Sequence, residues 1–163
     1  MWGTLQAEGE ARILRFERHY KRPIEKVWAA LITPERIADW WCADAEVEPR
    51  VGGRFHLAFR NGPHTMTGVI TILEPPHRLT YTWTEAVAKG DSLVSWELFP
   101  QADGCRLVLT HTLPSGGETM DFLSGWHWHL DALVGALNGV AAVWDSKGWE
   151  TLKEEYKIRV KQK

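Results

Sequence analysis

The sequence predicts an α+β fold, a curved antiparallel sheet of seven strands that closes on a long C-terminal helix. Three observations carry this reading. Leu79, Tyr81 and Trp83 alternate with Thr80, Thr82 and Thr84, the period-two signature of a half-buried strand. Leu123, Trp126, Leu130, Leu133, Val134 and Leu137 fall on one helical stripe, which Asn138-Gly139 ends. Turn residues punctuate short apolar runs, with no repeat, low-complexity stretch or Pro/Gly-rich linker, so a single domain over residues 1–163 is expected.

Residues 1–11 precede the first strand and are expected to form a flexible arm. Leu14, Phe16 and Tyr20 alternate with Ile13, Arg15, Glu17 and His19, predicting the first strand over residues 12–20. Pro23 suits a first helical position, and Val27, Trp28 and Leu31 follow at helical spacing. Thr33 is placed to N-cap a second short helix that starts at Pro34-Glu35 and ends near Trp40-Trp41. Turn chemistry then sets strand register. A two-residue turn at Gly62-Pro63 pairs Phe59 with Met66 and Phe55 with Ile70. Glu74-Pro75-Pro76-His77 reverses the chain and brings Ile70 beside Tyr81. After a longer loop around Ala86 to Asp91, a hairpin at Asp103-Gly104 pairs Leu98 with Leu109 and Trp96 with His111. These registers predict one inward-facing row: Phe55, Ile70, Tyr81, Trp96 and His111. The long helix begins beyond Gly116-Gly117, and an interruption near residues 139–147 precedes a last helix with Trp149, Leu152, Tyr156 and Val160 as its stripe.

The 163 residues are 44% apolar and 25% charged. A chain of this length buries roughly 70% of its unfolded surface and needs neither disulfide nor structural metal. The formal charge is -2 with no basic stripe, so nucleic acid is not an expected partner. No apolar run approaches membrane-spanning length, and the first residues lack the pattern of a secretory signal, so no membrane association and a cytoplasmic location are expected. Cys42 and Cys105 have no further Cys or His at ligand spacing and read as free thiols. Tryptophan is the outlier, with 10 residues against 3 Tyr and 5 Phe. Such a surplus of indoles fills a core or lines an apolar cavity.

The element order is that of the START-like helix-grip fold, in which a curved sheet wraps a C-terminal helix. Arg22-Pro23-Ile24-Glu25-Lys26-Val27-Trp28, Thr33-Pro34-Glu35, Trp40-Trp41 and Gly52-Gly53-Arg54-Phe55 resemble the AHSA-like family of this SRPBCC superfamily, named for activators of a heat-shock chaperone ATPase. So do Leu107-Val108-Leu109-Thr110-His111 and Gly125-Trp126-His127. The resemblance implies an apolar ligand held between sheet and helix, and in some superfamily members, the aromatase/cyclases among them, chemistry in that cavity. Co-chaperone function belongs to larger relatives with an additional N-terminal domain, and is not expected here.

The candidate ligand-binding residues follow. Trp40 and Trp41 border the cavity mouth, one expected as a lid and the other packed beneath it. Phe55, Leu57, Met66 and Ile70 come from the middle strands, Tyr81, Trp83, Trp96, Leu98, Leu109 and His111 from the later ones, and Met120, Trp126 and Leu130 from the long helix. His111 is placed to hydrogen-bond a ligand, and the competing reading is a satisfied core histidine. His127 and His129, two apart on a helix, point about 200° apart and cannot share a metal ion. No metal or cofactor is expected. Asp121, Asp131, Glu97 and Glu118 are not paired with a Ser or His at triad spacing, so no catalytic residue is assigned. Trp128 falls on the back of the long helix, where Val140 to Trp149 is expected to cover it in preference to a second chain. The leading expectation is non-catalytic binding of a small, largely apolar, aromatic or lipid-like ligand by a monomer or homodimer. The alternatives are a cyclase- or hydrolase-like enzyme using His111 and Tyr81 as acid/base groups, and a stress-related protein-interaction module.

Overall fold

The computed structural model describes residues 1–85, 91–114 and 119–161. The chain runs β1 (Thr4–Glu8), β2 (Ala11–Tyr20), α1 (Ile24–Ile32), α2 (Pro34–Trp41), β3 (Ala43–Val47), β4 (Arg54–Phe59), β5 (Thr65–Glu74), β6 (Arg78–Glu85), β7 (Ser92–Gln101), β8 (Gly104–Leu113), α3 (Thr119–Leu137) and α4 (Ser146–Lys161). The strands form one antiparallel sheet in the order β1-β2-β8-β7-β6-β5-β4-β3. Its inner face and the helices enclose a single core of Leu, Trp, Phe and Tyr side chains. Tyr20 ties sheet to α3 by donating its hydroxyl to the Leu130 carbonyl at 3.0 Å. Among the described residues, no helix is long and apolar enough to cross a membrane.

The sheet has eight strands where seven were expected. The extra one, β1, lies within the stretch expected to be a flexible arm and pairs with β2 from Thr4↔Arg15 to Glu8↔Ala11. A tight turn at Gly9-Glu10, with Gly9 at φ 58, makes the reversal. Only Leu5 on this edge strand is half-buried, so no alternation marked it as a strand. The loop at residues 86–90, the Gly116-Gly117 break and Glu118 lie outside the described residues.

Two hairpin registers differ from the expected ones, each by two residues. Phe55 pairs with Gly68 and Leu57 with Met66, because Phe59 N–H donates to the His64 carbonyl at 3.0 Å and closes a four-residue loop. Proline, with φ held negative, cannot take the second position of a type I′ turn, so Gly62-Pro63 does not form that two-residue reversal. In the β7–β8 hairpin Gln101 pairs with Gly104, so Ala102-Asp103 is the turn and Trp96 opposes Leu109. Gly104 is needed inside the ladder: a Cβ there would lie 2.0 Å from the Tyr20 carbonyl oxygen. Ile70 does pair with Tyr81, and the row continues through Val94 and His111 to Leu14. The expected five-residue row is thus split: Phe55 lies beside it, and Trp96 falls in the next row, between Leu79 and Leu109.

α3 ends as expected. Gly139 takes φ 83, and Arg22 donates to the Leu137 carbonyl. The following segment folds back: Ala142 N–H donates to the Asp39 carbonyl at 2.7 Å, and the Trp144 ring packs on Trp128 at 4.7 Å between centroids. Trp128 is therefore covered from within the chain. On α4 the stripe is shorter than expected, with Tyr156 buried and Val160 exposed.

Candidate functional site

The site is built on indoles. α2 delivers Trp40 and Trp41 side by side, stacked at 4.5 Å. Trp40 is anchored by its Nε1–H to the Ala30 carbonyl at 2.8 Å. Trp41 is the hub, with ring centroids 5.3 Å from Trp126, 5.9 Å from Trp83, 6.2 Å from Trp96 and 6.5 Å from Phe55. Trp96 donates Nε1–H to the Tyr81 hydroxyl at 3.0 Å, so the two are diagonal neighbours across β6 and β7. Phe55 stacks on Tyr81 at 4.1 Å. This stacking reaches across Gly68, the partner of Phe55, which has no side chain to intervene. A Cβ at Gly68 would also lie 1.8 Å from the Thr82 carbonyl oxygen.

A polar thread closes one end of the aromatic wall. Trp126 Nε1–H donates to His111 Nδ1 at 3.0 Å, so the neutral ring carries its proton on Nε2. That nitrogen donates to Ser92 Oγ at 2.7 Å, and Ser92 donates to the Trp83 carbonyl at 3.1 Å. His111 is fully buried, and burial drives its pKa down to about 3. Phe122 from α3 packs edge-on against His111 at 4.8 Å. Burial likewise raises the Tyr81 hydroxyl above its ordinary range, partly offset by the Trp96 hydrogen bond. His111 therefore sits in the arrangement of a satisfied core histidine, and neither group is poised for proton transfer near neutral pH.

Every candidate ligand-binding residue lies in or against the core. Phe55, Leu57, Met66, Ile70, Tyr81, Trp83, Trp96, Leu98, Leu109, His111, Trp126 and Leu130 are buried, and Met120 is half-buried in the first turn of α3. Trp40 and Trp41, expected as a lid and the residue packed beneath it, are both buried. Sequence reasoning passed over Ser92, Phe122 and Glu85. Ser92 shares strand parity with Val94 and Trp96, Glu85 shares it with Tyr81 and Trp83, and Phe122 precedes Trp126 by four.

The helix histidines go separate ways. His129 donates Nδ1–H to the Trp40 carbonyl at 3.3 Å, and burial lowers its pKa to about 4 against the raising effect of that bond. His127 contacts the Tyr156 hydroxyl at 2.9 Å and Asp131 at 3.3 Å. Among the described residues no group of three His, Cys, Asp or Glu is placed to hold a metal ion. Both cysteines are buried and free, and burial raises each thiol.

A sequence model of the family described as Activator of Hsp90 ATPase homolog 1-like protein matches residues 21–138. The chain belongs to this family. CalU16 from Micromonospora echinospora is 29% identical to this AHSA-like chain and superposes with a TM-score of 0.75, over 96% of this chain and 93% of that one. EF2215 from Enterococcus faecalis, a conserved protein of unknown function, superposes at 0.78 with 18% identity, over 98% and 91% of the two chains. DynU16, from the dynemicin biosynthetic locus, superposes at 0.73 with 21% identity, over 82% of this chain and 50% of that one. The last two likenesses concern the fold alone, which is the START-like helix grip. No curated protein matches the AHSA-like chain.

Proposed function

We propose that this AHSA-like chain binds a small, largely apolar molecule between its sheet and α3 and does not transform it. The carrying observation is the inward wall of Trp40, Trp41, Trp83, Trp96 and Trp126, whose rings meet within the helix grip. Flat indole faces suit a planar or aromatic ligand, through contact area and through edge-to-face geometry. The polar atoms of Trp40, Trp96, Trp126 and His111 are engaged internally, so these groups present mainly carbon to an occupant. The enzyme alternative asks His111 to accept a proton. Its Nδ1 lone pair is taken by Trp126, and its N–H by Ser92.

Native mass spectrometry of the purified protein, followed by calorimetric titration with a panel of apolar and aromatic probes, tests this proposal. A co-purified small molecule, or saturable one-to-one probe binding that Trp126→Ala weakens, is the expected result. Absence of both a bound mass and any probe binding would overturn it.

A further inference from the structure

We infer that Glu85 is the polar recognition group of this grip, and that it selects a ligand carrying a cationic amine on its apolar body. The inference rests on the binding reading above and adds a charge class to it. On β6 the inner face is read by Leu79, Tyr81, Trp83 and then Glu85, while Thr82 and Thr84 take the other face. A carboxylate thus follows three buried apolar positions on the same side, opposite the buried Met66 in the β5 ladder.

The carboxylate is held. Trp83 Nε1–H donates to Glu85 Oε1 at 2.8 Å, which fixes the acid against a ring of the aromatic wall. The same indole packs on Trp41, Trp126 and Phe122, with centroids 5.9, 5.4 and 6.3 Å away. Glu85 is half-buried, and one neutral N–H does not balance a negative charge partly withdrawn from water. Burial accordingly raises the Glu85 carboxyl, against the smaller lowering effects of the Trp83 bond and of His64 on the β4–β5 loop. Among the described residues no Lys or Arg makes an ion pair with it.

Such an acid gains most from a partner that brings both a charge and hydrogen-bond donors. An ammonium supplies a charge-assisted bond to the carboxylate and lies against indole and phenyl faces, which attract cations. A neutral hydroxyl supplies only the hydrogen bond. A carboxylate on the ligand is repelled.

Three probes with one ring system separate these cases: 1-naphthylmethylamine, 1-naphthylmethanol and 1-naphthylacetate, titrated by calorimetry into the full chain at neutral pH. The amine is expected to bind about tenfold more tightly than the alcohol, with the acetate weakest. Glu85→Gln, which keeps size and hydrogen-bonding capacity but removes the charge, is expected to erase the difference between amine and alcohol, with the amine losing far more affinity than the alcohol. Equal binding of amine and alcohol by the wild type, or an amine preference that survives Glu85→Gln, overturns the assignment while leaving apolar binding intact. Failure of all three probes to bind the wild type counts against the binding reading itself, and the assignment falls with it.

Discussion

Two neutral histidines, His111 fully buried and His129 half-buried, should make this fold acid-labile well above the range where carboxylates titrate. Burial lowers His111 to about 3 and His129 to about 4, from the ordinary histidine value of about 6.5. Above the unfolded value both rings are neutral in both states and contribute nothing to the pH dependence. As pH falls below it, the unfolded chain takes up two protons that the folded chain refuses, so stability is lost until the folded values are reached. Between about pH 7.5 and pH 5.5 each histidine should cost about 1.4 kcal/mol, and the pair about 3 kcal/mol. With a urea slope of about 2 kcal/mol/M for a chain of this size, the midpoint should fall by about 1.4 M over that interval. Urea unfolding followed by tryptophan emission at both pH values measures this. His111→Gln and His129→Gln should each be less stable at the higher pH, and each should lose about half of the pH-dependent drop. Glu85, raised by burial, acts with the opposite sign in acid, which is why the variants rather than the total assign the shares. A wild-type midpoint unchanged across this interval, or a drop that both variants retain in full, would refute the reasoning.

Four further outcomes follow from the packing. Gly68→Ala places a methyl against the Thr82 carbonyl and should lose about 2 to 4 kcal/mol in urea unfolding; a change under about 0.5 kcal/mol would show that β5 and β6 can part without penalty. Trp96→Ala should lose about 3 to 5 kcal/mol as a core truncation that also strips Tyr81 of its indole donor, and a loss near 1 kcal/mol would place Trp96 outside the rigid core. Trp144→Ser uncovers Trp128, and should lower the melting temperature while sedimentation shows the wild type's oligomeric state; a change of that state would mean that Trp144 serves a second chain. Tyr156→Phe removes the acceptor of the Gly3 N–H at 2.9 Å, and should raise hydrogen exchange in β1 selectively; uniform protection across β1 and β2 would contradict this anchoring role.

The inward-facing set was legible because strand faces depend on parity, and both register errors were even. A slip of two residues in β4–β5 and in β7–β8 moved Phe55 from Ile70 to Gly68 and Trp96 from His111 to Leu109, yet turned no side chain outward. The errors share a cause. Gly62-Pro63 and Asp103-Gly104 were read as turn residues, whereas Gly104 serves close packing on Tyr20 and Pro63 sits within a longer loop. Partnerships were lost where faces were not. With His111 assigned to Trp96 in place of Val94, there was no reason to look four residues back from Trp96 along β7 to Ser92, which hydrogen-bonds the ring. β1 escaped notice for another reason: an edge strand that half-buries one side chain carries no period-two signal.

The direction of proton donation around His111 links the fold to the proposed role. In a hydrolytic Ser–His pair the ring must accept from the serine, and the group at its other nitrogen must accept from the ring. Here the donors run the opposite way, from the Trp126 indole through His111 and Ser92 to a backbone carbonyl of β6. A carbonyl has no proton to pass on, so the thread ends there and each of its atoms is committed to structure. What it accomplishes is mechanical: α3, β8, β7 and β6 are joined at one end of the grip. The residues at its two extremes are Trp126 and Trp83, which pack on each other and on Trp41. The same Trp83 side chain holds Glu85. A wall fixed in this way loses little conformational freedom when a ligand arrives, and that saving raises affinity without adding a contact.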